Sequence, residues 1–139
     1  MNILFDASAM FKRYSGEAGV NRVLQLQASA SAVTAAVHCR AEVVSALTRQ
    51  WREGAFSDQE YERVLADIHA DFDELAVVPL SSQAERYAIA AMQVASLRGM
   101  EALHIGTAKA ARVDLFVTAD KRQAAAAKAV GLKIELIEA

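Results

Sequence analysis

The sequence predicts an α/β fold of three layers, in which helices cover both faces of a sheet of parallel strands. Short apolar runs alternate with longer helical patterns along the whole chain. Strands that are separated by helices form parallel sheets covered on both faces. The six glycines are scattered and Pro79 is the only proline, so no segment has the composition of a linker. We therefore expect a single domain over residues 1–139.

The five predicted strands are short runs rich in apolar and β-branched residues. The first, Asn2-Ile3-Leu4-Phe5-Asp6, ends on a carboxylate, and the second, Ser-Ala-Val-Thr-Ala, has the weakest pattern. Pro79 cannot donate a hydrogen bond to a neighbouring strand, so the third strand is expected to lie at an edge or to end there. The predicted strands span residues 2–6, 31–35, 76–80, 114–119 and 132–137.

The predicted helices lie between these strands and carry start or stop signals. Ser57 and Glu60 have the spacing of a capping box, which begins a helix that runs to about residue 73. Gly54 and Gly131 follow the ends of two other helices, where glycine is favoured. The remaining helices are expected over residues 8–15, 18–28, 36–52, 83–97, 100–112 and 121–130.

The helix predicted over residues 36–52 has an apolar stripe that is expected to face the core. This stripe consists of Val37, Ala41, Val44, Thr48 and Trp51. Glu42 then lies on the opposite side of the helix, together with His38, Ser45 and Arg49. A solvated helix face and a cleft are both compatible with that position.

Composition narrows the class of protein. Lys plus Arg is 15 and Asp plus Glu is 17, so the net charge of −2 argues against a protein that coats nucleic acid through bulk charge. Apolar residues make up 54% of the chain, which predicts that part of the surface meets a partner. The lone Cys39, the lack of a basic N-terminal region and the lack of a long apolar stretch favour a cytoplasmic protein without a membrane span.

Four carboxylates, those of Asp6, Glu42, Glu101 and Asp120, are the candidate catalytic groups. Asp6 and Asp120 end predicted strands, and open α/β sheets bind ligands in the crevice at the carboxyl ends of their strands. Several carboxylates in one crevice repel each other unless a cation neutralises them. The sequence therefore predicts a Mg²⁺ or Mn²⁺ site and, with it, phosphate chemistry.

Each of these carboxylates also has a purely structural explanation. Asp6 could cap a helix together with Ser8, and Glu42 could lie on a solvated helix face. Glu101 stands in the first turn of a helix, where the helix dipole stabilises a carboxylate by about 0.3–1 kcal/mol. Asp120 could cap the last helix, since glutamine follows three residues later. That role is compatible with metal binding, because one oxygen can cap while the other faces the crevice.

Other polar residues are candidates for supporting roles. Ser8 and Thr118, at strand ends, could orient a carboxylate. His104 is either a structural histidine or a base. The sequence has no phosphate-cradling glycine loop, His-rich zinc motif or serine-nucleophile elbow. Basic residues that could contact phosphates, or simply be solvated charges, are Arg13, Arg49, Lys121 and Arg122.

Segments of the chain resemble, in order, the motifs of PIN-domain ribonucleases of the VapC toxin family. Leu4-Phe5-Asp6-Ala7-Ser8-Ala9-Met10-Phe11 is similar to the opening of these proteins, and Phe116-Val117-Thr118-Ala119-Asp120 to their fourth motif. The second acidic motif resembles residues 41–47 with Arg49, the third resembles residues 97–108, and the usual ending resembles residues 129–132. The likeness covers essentially the whole chain, which makes it a specific signal although each motif is short.

The resemblance implies a five-stranded parallel sheet of order 3-2-1-4-5, with strands one and four adjacent at its centre. It implies Mg²⁺ or Mn²⁺ held by Asp6 and Glu101, with Glu42 and Asp120 completing the cluster. It also implies endonucleolytic cleavage of RNA, a homodimer, and a cognate VapB-type antitoxin of a type II toxin–antitoxin system that blocks the site.

One departure from the family pattern leaves alternatives open. The third acid of the family is usually Asp, whereas Glu101 carries an extra methylene, and Mg²⁺ demands near-octahedral geometry at about 2.0–2.1 Å. We expect the helix start or the Glu101 rotamer to compensate; the alternative is a weaker site or a preference for Mn²⁺. The alternatives are a PIN-like module that binds RNA or antitoxin without cleaving, a DNA nuclease with the same metal site, and a phosphoacceptor domain using Asp6. The last of these would need a second acid where Ser8 stands.

Overall fold

Five parallel strands form one sheet in the computed structural model, which describes residues 1–138. The strand order is β3-β2-β1-β4-β5, so the predicted α/β class and the order 3-2-1-4-5 are confirmed. Pro79 directly follows the edge strand β3, where its missing N–H is tolerated. The strands are β1 Asn2–Phe5, β2 Ala32–Ala36, β3 Ala76–Val78, β4 Leu115–Thr118 and β5 Ile134–Leu136.

Seven helices connect these strands within residues 1–138. They are α1 Ala7–Ser15, α2 Val20–Ser29, α3 Cys39–Arg52, α4 Asp58–Asp73, α5 Ser82–Val94, α6 Gly99–Ala111 and α7 Lys121–Ala129. The predicted capping box is present, because Ser57 Oγ accepts the Glu60 N–H and Glu60 Oε1 accepts the Ser57 N–H. Helix α3 begins three residues later than predicted, since Val37 and His38 form a turn after β2.

The two faces of the sheet bury separate apolar clusters. Ile3 and Phe5 of β1 point into one cluster, whose other members come largely from α1 to α4. Leu4, between them, points to the opposite face with Phe116 and Ile105. Alternation of side chains along a strand therefore accounts for the three layers. None of the helices described in residues 1–138 has the length and apolarity needed to cross a membrane.

The predicted core stripe of α3 is wrong. The fully buried residues of this helix are Cys39, Val43 and Leu47, whereas Val37 lies before the helix and is 51% exposed. Ala41 is also exposed, and the stripe positions Val44, Thr48 and Trp51 are only partly buried. Small or apolar residues of α3 itself lie on most sides of the helix. The helical wheel alone therefore did not determine which side packs against the core. The true stripe adjoins Glu42, which places that carboxylate beside the core rather than opposite it.

Register brings the ends of β1 and β4 together. Phe5 pairs with Val117 across the two strands, and the Asp6 N–H donates to the Val117 carbonyl at 3.0 Å. Both strands end at the same edge, so the residues that follow them meet there. The sheet thereby places Asp6 next to Thr118, although they are separated by more than a hundred residues in the chain.

Candidate functional site

Asp6 is a buried carboxylate that caps α1 and is held by three hydrogen bonds. Its Oδ1 accepts the Ala9 N–H at 2.9 Å and the Ser8 hydroxyl at 2.7 Å, and its Oδ2 accepts the Thr118 hydroxyl. The residue is 1% exposed. Burial raises the pKa of Asp6 above its ordinary value, although His104 and the three hydrogen bonds act in the opposite direction. A cation close to Asp6 would offset the charge that burial disfavours.

Two hydroxyls join Asp6 to the segment that follows β4. Thr118 Oγ1 donates to Asp6 and accepts the Asp120 N–H at 3.1 Å. Ser8 Oγ accepts the Ala119 N–H at 2.9 Å and lies 3.2 Å from Thr118 Oγ1. The two candidate supporting residues therefore both contact Asp6 and fix the position of its side chain.

Asp120 caps α7, as its sequence context also predicted. Its Oδ1 accepts the Arg122 N–H at 2.8 Å and the Gln123 N–H at 3.2 Å. The residue is partly exposed, unlike Asp6. The first turn of α7 thus holds the Asp120 carboxylate close to the end of β4.

The Glu42 carboxylate is partly buried and contacts two histidines. Its Oε1 lies 2.5 Å from His104 Nε2 and 3.3 Å from His38 Nε2, and its side chain is 34% exposed. Burial raises the pKa of the Glu42 carboxyl, but the two histidines outweigh that effect and hold the pKa below its usual range. Burial lowers the pKa of His38, and the neighbouring His104 lowers it further. The cleft interpretation of Glu42 therefore fits the structure, and the solvated-face interpretation does not.

Glu101 forms a capping interaction and an ion pair. Its Oε1 accepts the Arg98 N–H at 2.8 Å, and both of its carboxylate oxygens lie 2.9 Å from Arg122 Nη2. Gln123 Nε2 also donates to the Glu101 carbonyl at 2.9 Å. The start of α6 is thereby tied to the start of α7, and an arginine neutralises the third carboxylate.

Two of the four predicted carboxylates, those of Glu42 and Glu101, face a common cavity of about 740 Å³. Glu42 and Glu101 line it together with Arg98, Glu85 and Leu103, and exposed methionine side chains form part of its wall. Among residues 1–138, the four predicted carboxylates are not a set whose ligand atoms all lie within 4.8 Å of one another. Thr118 links the Asp6 carboxylate to the Asp120 backbone N–H, and Arg122 links the carboxylates of Asp120 and Glu101 through its backbone N–H and its guanidinium group.

The four basic residues that were predicted to contact phosphates lie in different environments. Arg122 pairs with Glu101, and Arg13 lies 3.3 Å from the Asp71 carboxylate. Arg49 is exposed on α3. Lys121 lines a smaller cavity of about 280 Å³ beside Lys12, a basic residue outside the predicted set. Arg122 is the member of this group that touches one of the four carboxylates through its side chain.

Sequence reasoning underrated the two histidines beside Glu42. His38 precedes Glu42 by one helical turn, and this i, i+4 spacing was the signal that the two share a face. His104 comes from α6, so its contact with Glu42 depends on how α6 packs. Their rings lie 4.1 Å apart between centroids and are tilted by 40°.

Cys39 lies in this region but is expected to be chemically inert. Its side chain is fully buried, and burial raises the pKa of the thiol, with Asp6 and Glu42 acting in the same direction. Since the thiolate is the reactive form, we expect native protein to resist alkylation by iodoacetamide and protein in urea to react fully. Mass spectrometry of the two samples measures this, and rapid native labelling would contradict the burial.

A parallel sheet of order 3-2-1-4-5, with Asp6 and Asp120 following its adjacent strands β1 and β4, defines an α/β protein whose strand ends carry acidic residues. The family model described as PIN domain matches residues 3–129. The chain therefore belongs to the PIN domain family. No curated protein matches it at a significant level.

Solved structures share this fold at low sequence identity. VapBC2 from Rickettsia felis, bound to a promoter DNA fragment, is 13% identical with a TM-score of 0.71, covering 99% of this chain and 100% of that one. DNA-bound VapBC from Salmonella typhimurium is 14% identical with a TM-score of 0.70, covering 99% of each chain. Mycobacterium tuberculosis VapC20, a toxin that cleaves the sarcin-ricin loop, is 16% identical with a TM-score of 0.67, covering 89% of this chain and 94% of that one.

Proposed function

We propose that the chain is a metal-dependent endoribonuclease that hydrolyses RNA phosphodiester bonds and is the toxin of a VapC-type toxin–antitoxin module. The observation that carries the proposal is the buried Asp6 carboxylate of a PIN domain, joined through the Thr118 hydroxyl to the segment of Asp120. A buried carboxylate is unfavourable unless its charge is offset, and a divalent cation offsets it.

The donor atoms at this edge of the sheet fit Mg²⁺ or Mn²⁺, because these cations prefer oxygen ligands. Ser8 and Thr118 would orient Asp6 for this role. A bound cation would polarise a phosphoryl oxygen and offset the charge that develops during cleavage. The proposed ligands are Asp6, Glu42, Glu101 and Asp120.

The side chains of the protein would carry out the other tasks. The hydrogen bonds that fix Asp6 are in place before substrate binds, so this carboxylate needs little reorganisation during the reaction. Glu42, one-third exposed and paired with His104, would complete the acidic cluster at the cavity that it lines together with Glu101. Arg122 would exchange its pairing with Glu101 for a phosphate oxygen of the RNA, because arginine binds both groups well.

The remaining parts of the proposal concern partners. Arg13, Arg49 and Lys121 would contact the RNA backbone away from the cut bond, and unpaired loop bases would supply sequence preference. A VapB-type antitoxin would block the site, in line with the VapBC complexes that share the fold. We further propose a cytoplasmic homodimer in which each chain is one PIN domain.

A second candidate function is a PIN-like module that binds RNA or antitoxin without cleaving. The Glu101–Arg122 ion pair favours it, because an arginine already neutralises the third carboxylate and a cation would have to displace it. This module would bind RNA equally well with and without divalent cations.

The proposed nuclease is tested by incubating the purified chain with total RNA in Mg²⁺, in Mn²⁺ and in EDTA, and mapping the new RNA ends. We expect defined cuts with either metal and none in EDTA, since the carboxylates need the cation. Labelled RNA and DNA of one sequence, run in parallel, should show cleavage of the RNA. RNA binding that persists in EDTA, with no cuts in either metal, would establish the non-cleaving module instead.

A further inference from the structure

A second set of ligand atoms lies next to the acidic crevice and is chemically different from it. His38 Nε2, Glu42 Oε1 and His104 Nε2 all lie within 4.8 Å of one another, and no other set of three in residues 1–138 does so. Both imidazole nitrogens face the same carboxylate oxygen, at 3.3 Å for His38 and 2.5 Å for His104. His38 Nε2 also lies 3.0 Å from the Met100 carbonyl oxygen, a hydrogen bond that a cation bound at this nitrogen would replace.

One of these separations already equals that of a tetrahedral metal site. With Zn–N and Zn–O bonds of about 2.0–2.1 Å, tetrahedral ligand atoms stand about 3.3 Å apart. The pair formed by His38 and Glu42 already has this spacing. The pair formed by His104 and Glu42 would open by an amount on the order of 1 Å, which a rotation of the partly exposed Glu42 side chain supplies.

His104 is the buried member of this set of ligands. Its side chain is 2% exposed, and its Nδ1 has no hydrogen-bond partner among the residues that the structure describes. Its Nε2 bonds to Glu42, which leaves this buried imidazole only partly satisfied by the protein. A cation at Nε2 would not contact Nδ1, because the two ring nitrogens point in different directions; what His104 contributes is an Nε2 that is directed at Glu42.

We propose that His38, Glu42 and His104 bind one Zn²⁺, or another divalent cation that prefers imidazole, with the fourth coordination position open to the cavity that Glu42 lines. Imidazole nitrogen suits Zn²⁺, Cu²⁺ and Ni²⁺, whereas Mg²⁺ prefers oxygen. Three protein ligands with one open position is an established zinc arrangement. The two proposed sites therefore select different metals: this one prefers cations that bind imidazole, and the carboxylates of the proposed Mg²⁺ or Mn²⁺ site prefer cations that bind oxygen.

Glu42 belongs to both sets, which gives the zinc site a regulatory consequence. A carboxylate that ligates Zn²⁺ beside two histidines is withdrawn from Mg²⁺ or Mn²⁺ in the crevice. Zinc is therefore expected to inhibit RNA cleavage in the presence of excess Mg²⁺. This consequence, unlike the binding itself, rests on the proposed nuclease function.

The test is a calorimetric titration of the full chain with Zn²⁺ in buffer containing excess Mg²⁺, repeated with Co²⁺ as a spectroscopic probe of tetrahedral geometry. We expect one Zn²⁺ per chain in the wild type and a loss of affinity of more than about tenfold in His38→Ala. His38 is chosen because it lies at the rim of the site, whereas removing the buried His104 could unfold the protein. His69→Ala, which changes the exposed third histidine, should bind Zn²⁺ as the wild type does.

Two further outcomes separate this proposal from the nuclease. Asp6→Asn should bind Zn²⁺ normally, because Asp6 is outside the three-ligand set, even though it should lose cleavage. If the wild type cleaves RNA, the concentration of Zn²⁺ that halves cleavage should rise in His38→Ala by more than about tenfold. Zinc binding that is absent from the wild type, or unchanged in His38→Ala, overturns the proposal whether or not RNA is cut.

Discussion

Replacing Asp6 by Asn is expected to slow RNA cleavage by roughly 10²–10⁴-fold, because the chemical step loses several kcal/mol of cation-dependent stabilisation. The variant keeps an oxygen for the Ala9 and Ser8 donors and places an NH₂ group opposite Thr118, so the fold should survive. RNA affinity should change far less than the rate. Single-turnover cleavage of a mapped RNA, together with an equilibrium binding assay, measures both quantities.

Asp67→Asn is the matched control, since Asp67 is an exposed aspartate on α4 and should tolerate the change without loss of rate. Equal cleavage by Asp6→Asn and the wild type would rule out the proposed mechanism. A loss of folded structure in Asp6→Asn would contradict the expectation that asparagine satisfies the Ala9, Ser8 and Thr118 contacts.

Stability gives a second measurement on Asp6→Asn that does not depend on activity. Burial raises the pKa of Asp6, so the ionised form is disfavoured in the folded chain. The stability lost by ionising buried Asp6 is fully lost above the pKa that Asp6 has in the folded chain. It is regained when the pH falls below 3.8, the ordinary pKa of the group. In EDTA at neutral pH, Asp6→Asn should therefore unfold at higher urea than the wild type. Mg²⁺ should stabilise the wild type and leave the variant unchanged, because a ligand stabilises the state that binds it.

Gly106→Ala is expected to destabilise the fold by about 1–3 kcal/mol or more, the usual effect of overpacking a tight contact. A Cβ atom at this position of α6 would lie 2.2 Å from the Ala84 carbonyl oxygen and 2.8 Å from the Ala88 backbone nitrogen, both on α5. Backbone atoms cannot rotate away, so the two helices must separate. Alanine's helix propensity, favourable by about 1 kcal/mol over glycine, is too small to offset this. Urea unfolding followed by far-UV circular dichroism measures the difference.

Gly99→Ala is the control for this substitution, because it lies in the same helix and a Cβ there would meet nothing within 4 Å. We expect its midpoint in urea to equal or exceed that of the wild type. An unchanged midpoint in Gly106→Ala would mean that α5 and α6 are not packed as closely as the structure describes.

Local patterns predicted much of the fold, for reasons visible in particular segments. Ser57 and Glu60 are three residues apart, so their capping box depends on no other part of the chain. The apolar runs at residues 2–6 and 114–119 become the central strands β1 and β4. In contrast, α3 has small apolar residues on several sides, and only contact with the sheet selected Cys39, Val43 and Leu47 for burial.

The candidate site was less accessible to sequence reasoning, because its important contacts join distant segments. The sequence singled out Asp6, Glu42, Glu101 and Asp120, and likeness to a family supplied the strand order. It did not reveal that Glu42 pairs with His104 or that Arg122 neutralises Glu101. Those pairs form across α3 and α6, and across α6 and α7.

The sequence by itself determined the alternation of strands and helices, the acidic residues at the strand ends and the helix caps, since each depends on neighbours in the chain. Only the tertiary structure decided which polar groups contact each carboxylate. Hydroxyls bind Asp6, histidines contact Glu42 and an arginine pairs with Glu101. The physical reason is that hydrogen bonds and ion pairs act over a few ångströms. Partners from separate helices are therefore fixed by how those helices pack on the sheet.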